Sequence, residues 1–169
     1  MTATRQIAIR AFDVQDGALY RDLRLRALAE SPDAFSRTLA EEKNRPDAEW
    51  SQRLANWARS PLHLGLVAFL DERSVGLAFV ALETEAQVTQ LYSMWVDPAA
   101  RQLGIGNQLL QRSVNWSRQC RARKMKLQVT ESNTAALQLY ARAGFLPTAA
   151  VEPLRVGSAL TAHTMELEL

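Results

Sequence analysis

The stretch Arg101-Gln102-Leu103-Gly104-Ile105-Gly106 joins an apolar, strand-like run ending Val96-Asp97-Pro98 to a run of helix formers that begins Asn107-Gln108-Leu109-Leu110. A strand that passes through a glycine turn into a helix leaves several backbone N–H groups without intrahelical partners, at the positive end of the helix dipole. Such a turn binds anions, and phosphate is the usual one. Glycine at 104 and 106 keeps side chains from standing between the backbone and a bulky diphosphate, and Arg101 adds a cation beside it. On spacing alone, a phosphate turn and a plain tight turn stand level.

Two better-known phosphate motifs do not fit the residues that follow. A P-loop needs Lys and Ser or Thr after its last glycine, where this chain has Asn107-Gln108. A dinucleotide fingerprint needs a small residue three positions after Gly106 and an acidic one about twenty further on. Leu109 and Arg123-Lys124-Met125 stand there. Other reactive side chains are sparse. The single Cys120 cannot form an internal disulfide, and it shares a helical stripe with Ile105, Leu109 and Trp116, which reads as a packed thiol. His63 and His163 make no ligand cluster at metal spacing, so no metal is expected and a reducing cytoplasm is the default location.

The elements needed to hold the turn are legible around it. "QIAIRAF" (6–12) alternates as a strand, and a helix through "GALYRDLRLRALAES" ends at Ser31-Pro32-Asp33. A second helix, around Asp47 to Ala58, opens after Pro46 and carries Trp50, Leu54 and Trp57 at three-to-four spacing, read as core. "HLGLVAFL", "SVGLAFVALE" and "QVTQLYSMWV" predict three antiparallel strands in succession. A helix from about Gly104 to Cys120 follows the turn, then a strand at 124–130, a helix at 133–144 capped by Asn133 and closed by Gly144, and a terminal strand in "SALTAHTMELEL". This is mixed α/β, a single domain over residues 1–169. With 47% hydrophobic residues and a net charge of +2, the chain has an ordinary core and no field that implies nucleic acid or membrane. "MTATRQIAIRAF" lacks a signal-like apolar core, and the longest apolar run, 64–70, is too short to span a bilayer.

Arg101-x-x-Gly104-x-Gly106, entered from Val96-Asp97-Pro98, resembles the acetyl-CoA pyrophosphate motif of the GNAT superfamily of N-acetyltransferases. A second motif accompanies it: "VTESNTAALQLYARAGF" is similar to the family's Asn-x-x-Ala-x-x-Leu-Tyr-x-x-x-Gly-Phe, with Asn133, Ala136, Leu139, Tyr140, Gly144 and Phe145 in place. "LRLRALAESPDAFSRTLAEE" looks like the N-terminal helix and turn of one bacterial branch, so the resemblance covers essentially the whole chain. It implies a GNAT fold (α+β), a mixed, mostly antiparallel sheet with splayed strands and about four helices.

The resemblance also implies roles. Met94, Trp95 and Val96 would offer backbone groups to the pantetheine arm, although core packing alone accounts for the side chains of Met94 and Trp95. Gln102, Leu103, Gly104, Ile105, Gly106 and Asn107 would wrap the pyrophosphate with their amides, with Arg101 beside them. Asn133 would contact the cofactor from the next helix, and a backbone N–H near Met94 would hold the oxyanion. Tyr140 would be the general acid: a phenol near pKa 10 stays protonated at neutral pH and can donate to a thiolate of pKa about 8.5. The alternative for Tyr140 is a tyrosine that only covers the core.

No base is legible. Gln128 stands where some relatives place a glutamate, and Glu83, Glu85 and Glu131 read as solvated charges at strand ends. Phe35, Glu41 and Glu42 are candidates for the acceptor pocket, with loop anchoring and a solvated helix face as the plainer readings. Arg118, Arg121, Arg123, Lys124 and Lys126 cluster between helix and strand, where a solvated helix end outweighs binding of the 3′-phosphate of CoA or nucleic acid. The expected function is transfer of an acetyl group from acetyl-CoA to a primary amine of a small or amino-acid-like molecule. A silent acyl-CoA-binding module and a protein or peptide N-terminal acetyltransferase are the alternatives, and the oligomeric state, homodimer included, is open.

Overall fold

A computed structural model describes residues 5–169. The three apolar runs form an antiparallel meander, β2 (His63–Leu70), β3 (Arg73–Glu83) and β4 (Val88–Val96), and β1 (Ile7–Ala11) pairs antiparallel with β2. β5 (Lys124–Thr130) lies parallel to β4, and β7 (Thr161–Glu168) and β6 (Leu146–Pro153) complete one seven-stranded sheet in the order β1-β2-β3-β4-β5-β7-β6. The period-two alternation of β2 shows how the sheet serves two cores. Leu66 and Ala68 face a cluster with Leu109, Leu110 and Tyr140, whereas Val67 faces a second cluster with Leu23, Leu28 and Leu54.

The first cluster belongs to α4 (Ile105–Gln119) and α5 (Thr134–Arg142), the second to α1 (Gly17–Glu30) and α3 (Asp47–Arg59). Trp50 is fully buried, as its spacing implies, and Trp57 is half-buried. The inward stripe of α4 differs from the expected one. It runs through Ile105, Leu109, Leu110, Ser113, Val114 and Ser117, with Trp116 and Cys120 on its flank. Two serines can turn inward because their hydroxyls donate one turn back, Ser113 to the Leu109 carbonyl at 2.8 Å and Ser117 to the Ser113 carbonyl at 3.0 Å. Burial raises the Cys120 thiol, in keeping with packing.

Two elements exceed the sequence reading. β6 contains Pro147 and Pro153, which suppress a strand pattern, and it survives because it is the outer edge of the sheet, where missing N–H donors go unneeded. The one-turn α2 (Leu39–Glu42) brings the helices among the described residues to five; Thr38 and Glu41 form its reciprocal capping box.

The strand leading into the glycine turn is tied down by Asp97. Its carboxylate accepts from Arg26 Nη2 at 2.5 Å, Arg73 Nη2 at 3.2 Å and the Ala99 amide at 3.0 Å. Burial alone would raise its pKa, but the Ala99 amide and the Arg26 guanidinium outweigh that and lower it. A depressed folded value stabilises the fold above the unfolded-chain pKa of about 3.9, and that contribution is lost as pH falls through the lower folded value. Asp97→Ala should therefore cost about 2 kcal/mol in urea unfolding at pH 7, with the difference from the parent protein shrinking below about pH 4.

Candidate active site

β4 and β5 are hydrogen-bonded only from Val88↔Lys124 to Leu91↔Leu127 and then part. At the same place β4 bulges against β3: Phe79 pairs with Tyr92 but Leu77 pairs with Trp95, so Ser93 and Met94 together oppose Ala78. Ser93 takes φ +53° to make the bend. The edge of β4 from Met94 to Val96 thus borders a groove of about 760 Å³. The glycine turn and the first turn of α4 form its base, α5 its far wall, and the segment from Glu30 to Ala34 its rim.

Among the described residues, none of the six backbone amides from Gln102 to Asn107 donates to another group of the protein. Gln102 (φ +63°) and Gly104 (φ +82°) both lie in the left-handed region, which curls the chain there and makes glycine the fitting residue at 104. Gly106 is different. A Cβ at 106 would meet Leu139 Cδ2 at 3.5 Å and Met94 Cε at 3.7 Å, ordinary contacts, so the fold itself does not demand glycine there. The bare position borders the groove.

Every residue expected at the cofactor site lines this groove except Leu103, which packs into the core between sheet and α4. Trp95 is buried against α1, its Nε1 donating to Glu30 at 2.9 Å. Asn133 caps α5, its Oδ1 accepting from the Ala136 amide at 3.2 Å. Its side-chain NH₂ makes no bond to the other described residues. Arg101 is not a free cation: Nε donates to the Val96 carbonyl at 2.9 Å and Nη2 to Glu30 at 2.7 Å. Burial works to raise the Glu30 pKa, but bonds from Ser31, Trp95 and Arg101 prevail and lower it. Glu30 escaped the sequence reading because nothing in a helix-terminal "AES" marks a carboxylate that gathers an indole and a guanidinium.

Tyr140 lies across the groove on α5, 7% exposed, with its ring tilted against Phe145 at 5.8 Å. Its hydroxyl makes no hydrogen bond to the described residues, and burial holds the phenol far above its ordinary value. At neutral pH it can only donate or accept a hydrogen bond as the neutral phenol. Gln128 is exposed beyond the end of the β4–β5 pairing and donates to Glu152 at 3.3 Å. Glu83, Glu85 and Glu131 are exposed and line no part of the groove. Phe35 is a buried anchor of the α1 and α3 core. Glu41 is solvated, but Glu42 corrects the solvated-face reading: it is 1% exposed and bonded to Arg53 at 3.1 Å and Arg45 at 3.5 Å. Of the basic cluster, Lys124 and Lys126 pair with Glu166 and Arg123 bonds the Ala86 carbonyl. Among the described residues no three His, Cys, Asp or Glu side chains converge as metal ligands, and no helix is long and apolar enough to cross a membrane.

The groove thus joins an unpaired run of amides at a helix start, a parted strand pair and a phenol without a protein partner among the described residues. Residues 25–145 match the model of the Acetyltransferase (GNAT) family, and the chain belongs to that family of acyltransferases. Among solved structures, an acetyltransferase of the GNAT family from Streptococcus pneumoniae superposes with TM-score 0.82 at 20% identity, over 97% of this chain and 99% of that one. yncA from Salmonella typhimurium, solved with its cofactor acetyl-CoA, gives 0.79 at 20% identity over 97% and 94%. Ribosomal-protein-alanine N-acetyltransferase from Brucella melitensis gives 0.76 at 22% identity over 96% and 99%. These likenesses are of fold. No protein with a curated description matches the chain.

Proposed function

We propose that the protein transfers the acetyl group of acetyl-CoA to the primary amine of a small, amino-acid-like molecule. The observation that carries this reading is the pairing of six unsatisfied amides at the start of α4 with an unpartnered phenol on the facing wall. The amides from Gln102 to Asn107 suit a diphosphate, and the open ground at Gly106 lets the backbone approach it. Arg101 acts through Glu30 and the Val96 carbonyl to hold the turn against β4. The unpaired edge of β4 from Met94 to Val96 suits an extended amide-bearing arm, and the side-chain NH₂ of Asn133 is a further donor.

Acetyl-CoA supplies an acyl group activated as a thioester. The neutral amine forms a bond to the acyl carbon as the carbon–sulfur bond breaks; the surplus amine proton goes to solvent and the sulfur takes one from Tyr140. A backbone N–H of β4 near Met94 stabilises charge developing on the acyl oxygen. Tyr140 is restored by water. No side chain among the described residues is assigned as base; the step takes the amine in its neutral form, and kcat/KM should rise with pH until that amine is deprotonated.

Release of free CoA thiol tests the reading, measured with acetyl-CoA over amino acids, monoamines, polyamines and peptide N-termini. Acceptor-dependent release with a small amine is the expected result. Tight acetyl-CoA binding without release for any acceptor would mark a silent acyl-CoA-binding module instead.

A further inference from the structure

On the opposite face of the sheet, α1, α3 and β2 to β4 enclose a second cavity of about 560 Å³. At the bulge β4 contributes Ser93 to this cavity and the next residue, Met94, to the cofactor groove, so one strand turn is a wall of both. Beside that turn β4 has already parted from β5. The cavity adjoins the place where acyl transfer would occur.

Its polar lining carries one sign. Arg24 and Arg53 line it, and no carboxylate does. Arg53 is answered by Glu42 at 3.1 Å, behind the wall. Arg24 is not answered. The residue is 7% exposed, its guanidinium lies 4.7 Å over the Phe35 ring, and its one hydrogen bond among the described residues runs from Nη1 to Ser93 Oγ at 3.1 Å. Burial lowers its pKa despite the opposing pull of Tyr20 and Glu42, and no carboxylate among the described residues bonds it directly. Trp57 and His63 also line the cavity, and burial keeps His63 neutral near pH 7. Tyr20, Phe79 and Tyr92 add aromatic surface, with Leu54, Asn56 and Ala81 between them. A buried guanidinium bonded to one hydroxyl, in the wall of a cavity that no carboxylate lines, points to an anionic ligand group that would pair it.

We infer that this cavity is the acceptor site, that Arg24 receives the carboxylate of an α-amino acid beside the β4 bulge, and that the acceptor's apolar side chain lies against Tyr20, Trp57 and Phe79. The inference rests on the acetyl-transfer reading above. The placement follows from chemistry. In an α-amino acid the carboxylate and the amine sit on one carbon, and Arg24 meets β4 at Ser93, one residue from Met94. A polyamine would bring cations to two arginines with no carboxylate to meet them.

The test compares L-phenylalanine, L-leucine and L-methionine with their primary amides and decarboxylated amines, plus spermidine, at saturating acetyl-CoA, with rates expressed per neutral amine. In the parent protein, loss of the carboxylate should lower kcat/KM about 10- to 100-fold, chiefly through KM. R24Q should lose a similar factor toward the acids and cease to distinguish acid from amide, with R24K between them and acetyl-CoA binding unchanged in both. Calorimetry of L-phenylalanine, L-leucine and L-methionine with the protein–CoA complex separates the two readings. Carboxylate-dependent binding that R24Q abolishes, without turnover of any amine, would uphold the site and sink the transferase reading. Should R24Q not fold, the acid-against-amide comparison and R24K decide. A preference for amides, decarboxylated amines or spermidine, or a folded R24Q that keeps the preference for acids, would overturn the inference.

Discussion

Tyr140→Phe should lower kcat about 100-fold or more while leaving acetyl-CoA affinity and folding stability close to those of the parent protein. The size follows from the ordinary contribution of a positioned acid, which is about 3 kcal/mol or more in the barrier. The selectivity follows from the structure. The Tyr140 hydroxyl bonds to nothing among the described residues, so its removal breaks no protein contact, and the ring keeps its packing on Phe145. A hydroxyl that lines the groove and bonds no protein group can be removed at little cost to the fold. Burial raises the phenol's pKa, so the parent profile should show no fall from tyrosine ionisation at or below about pH 10. Both proteins should share one rising limb, set by the acceptor amine, and differ by a constant factor along it. Turnover unchanged across pH, with cofactor bound normally, would remove Tyr140 from the chemistry.

How much of this was legible depends on how local each feature is. A glycine turn between strand and helix, a capped helix at Asn133 and three successive hairpin strands are written in neighbouring residues, and the fold contains them close to the expected bounds. The parting of β4 from β5 is not local. It is set by a bulge at Ser93, whose positive φ no residue preference announces, and it came only through resemblance. Long-range ion pairs were invisible for the same reason. Arg101 with Glu30 spans 71 positions, and Glu42 with Arg53 turns an apparently solvated carboxylate into a buried one. In α4, the expected stripe of Ile105, Leu109, Trp116 and Cys120 did not include Ser113 and Ser117, which turn inward because each offsets its own desolvation by bonding one turn back. Arg24 is the sharpest case: in "LRLRAL" it looks like any helical arginine, and only the packing of α1 on β4 shows it to be a buried cation that no carboxylate among the described residues bonds directly.

The cofactor turn can be tested without disturbing the fold, because Gly106 is bare for reasons other than internal packing. Gly106→Asp adds a Cβ whose nearest protein contacts are 3.5 to 3.9 Å away, which is ordinary separation. The position is the second residue of α4, where an acidic side chain complements the helix dipole and replaces the worst helix former short of proline. Thermal stability of the free protein should therefore hold or rise, by up to about 1 kcal/mol. The same carboxylate would stand among the amides from Gln102 to Asn107, against a diphosphate. Like charges about 4 Å apart cost roughly 1 kcal/mol in water and about 4 near a protein surface, so acetyl-CoA should bind about 10- to 1,000-fold more weakly. Raising the salt should recover part of that loss, since exposed charges are screened. Gly106→Ala brings the Cβ without the charge, and it should bind acetyl-CoA within a few-fold of the parent protein. A stable Gly106→Asp protein that bound acetyl-CoA as tightly as the parent would show that the diphosphate lies elsewhere, and the amides at the start of α4 would need another ligand.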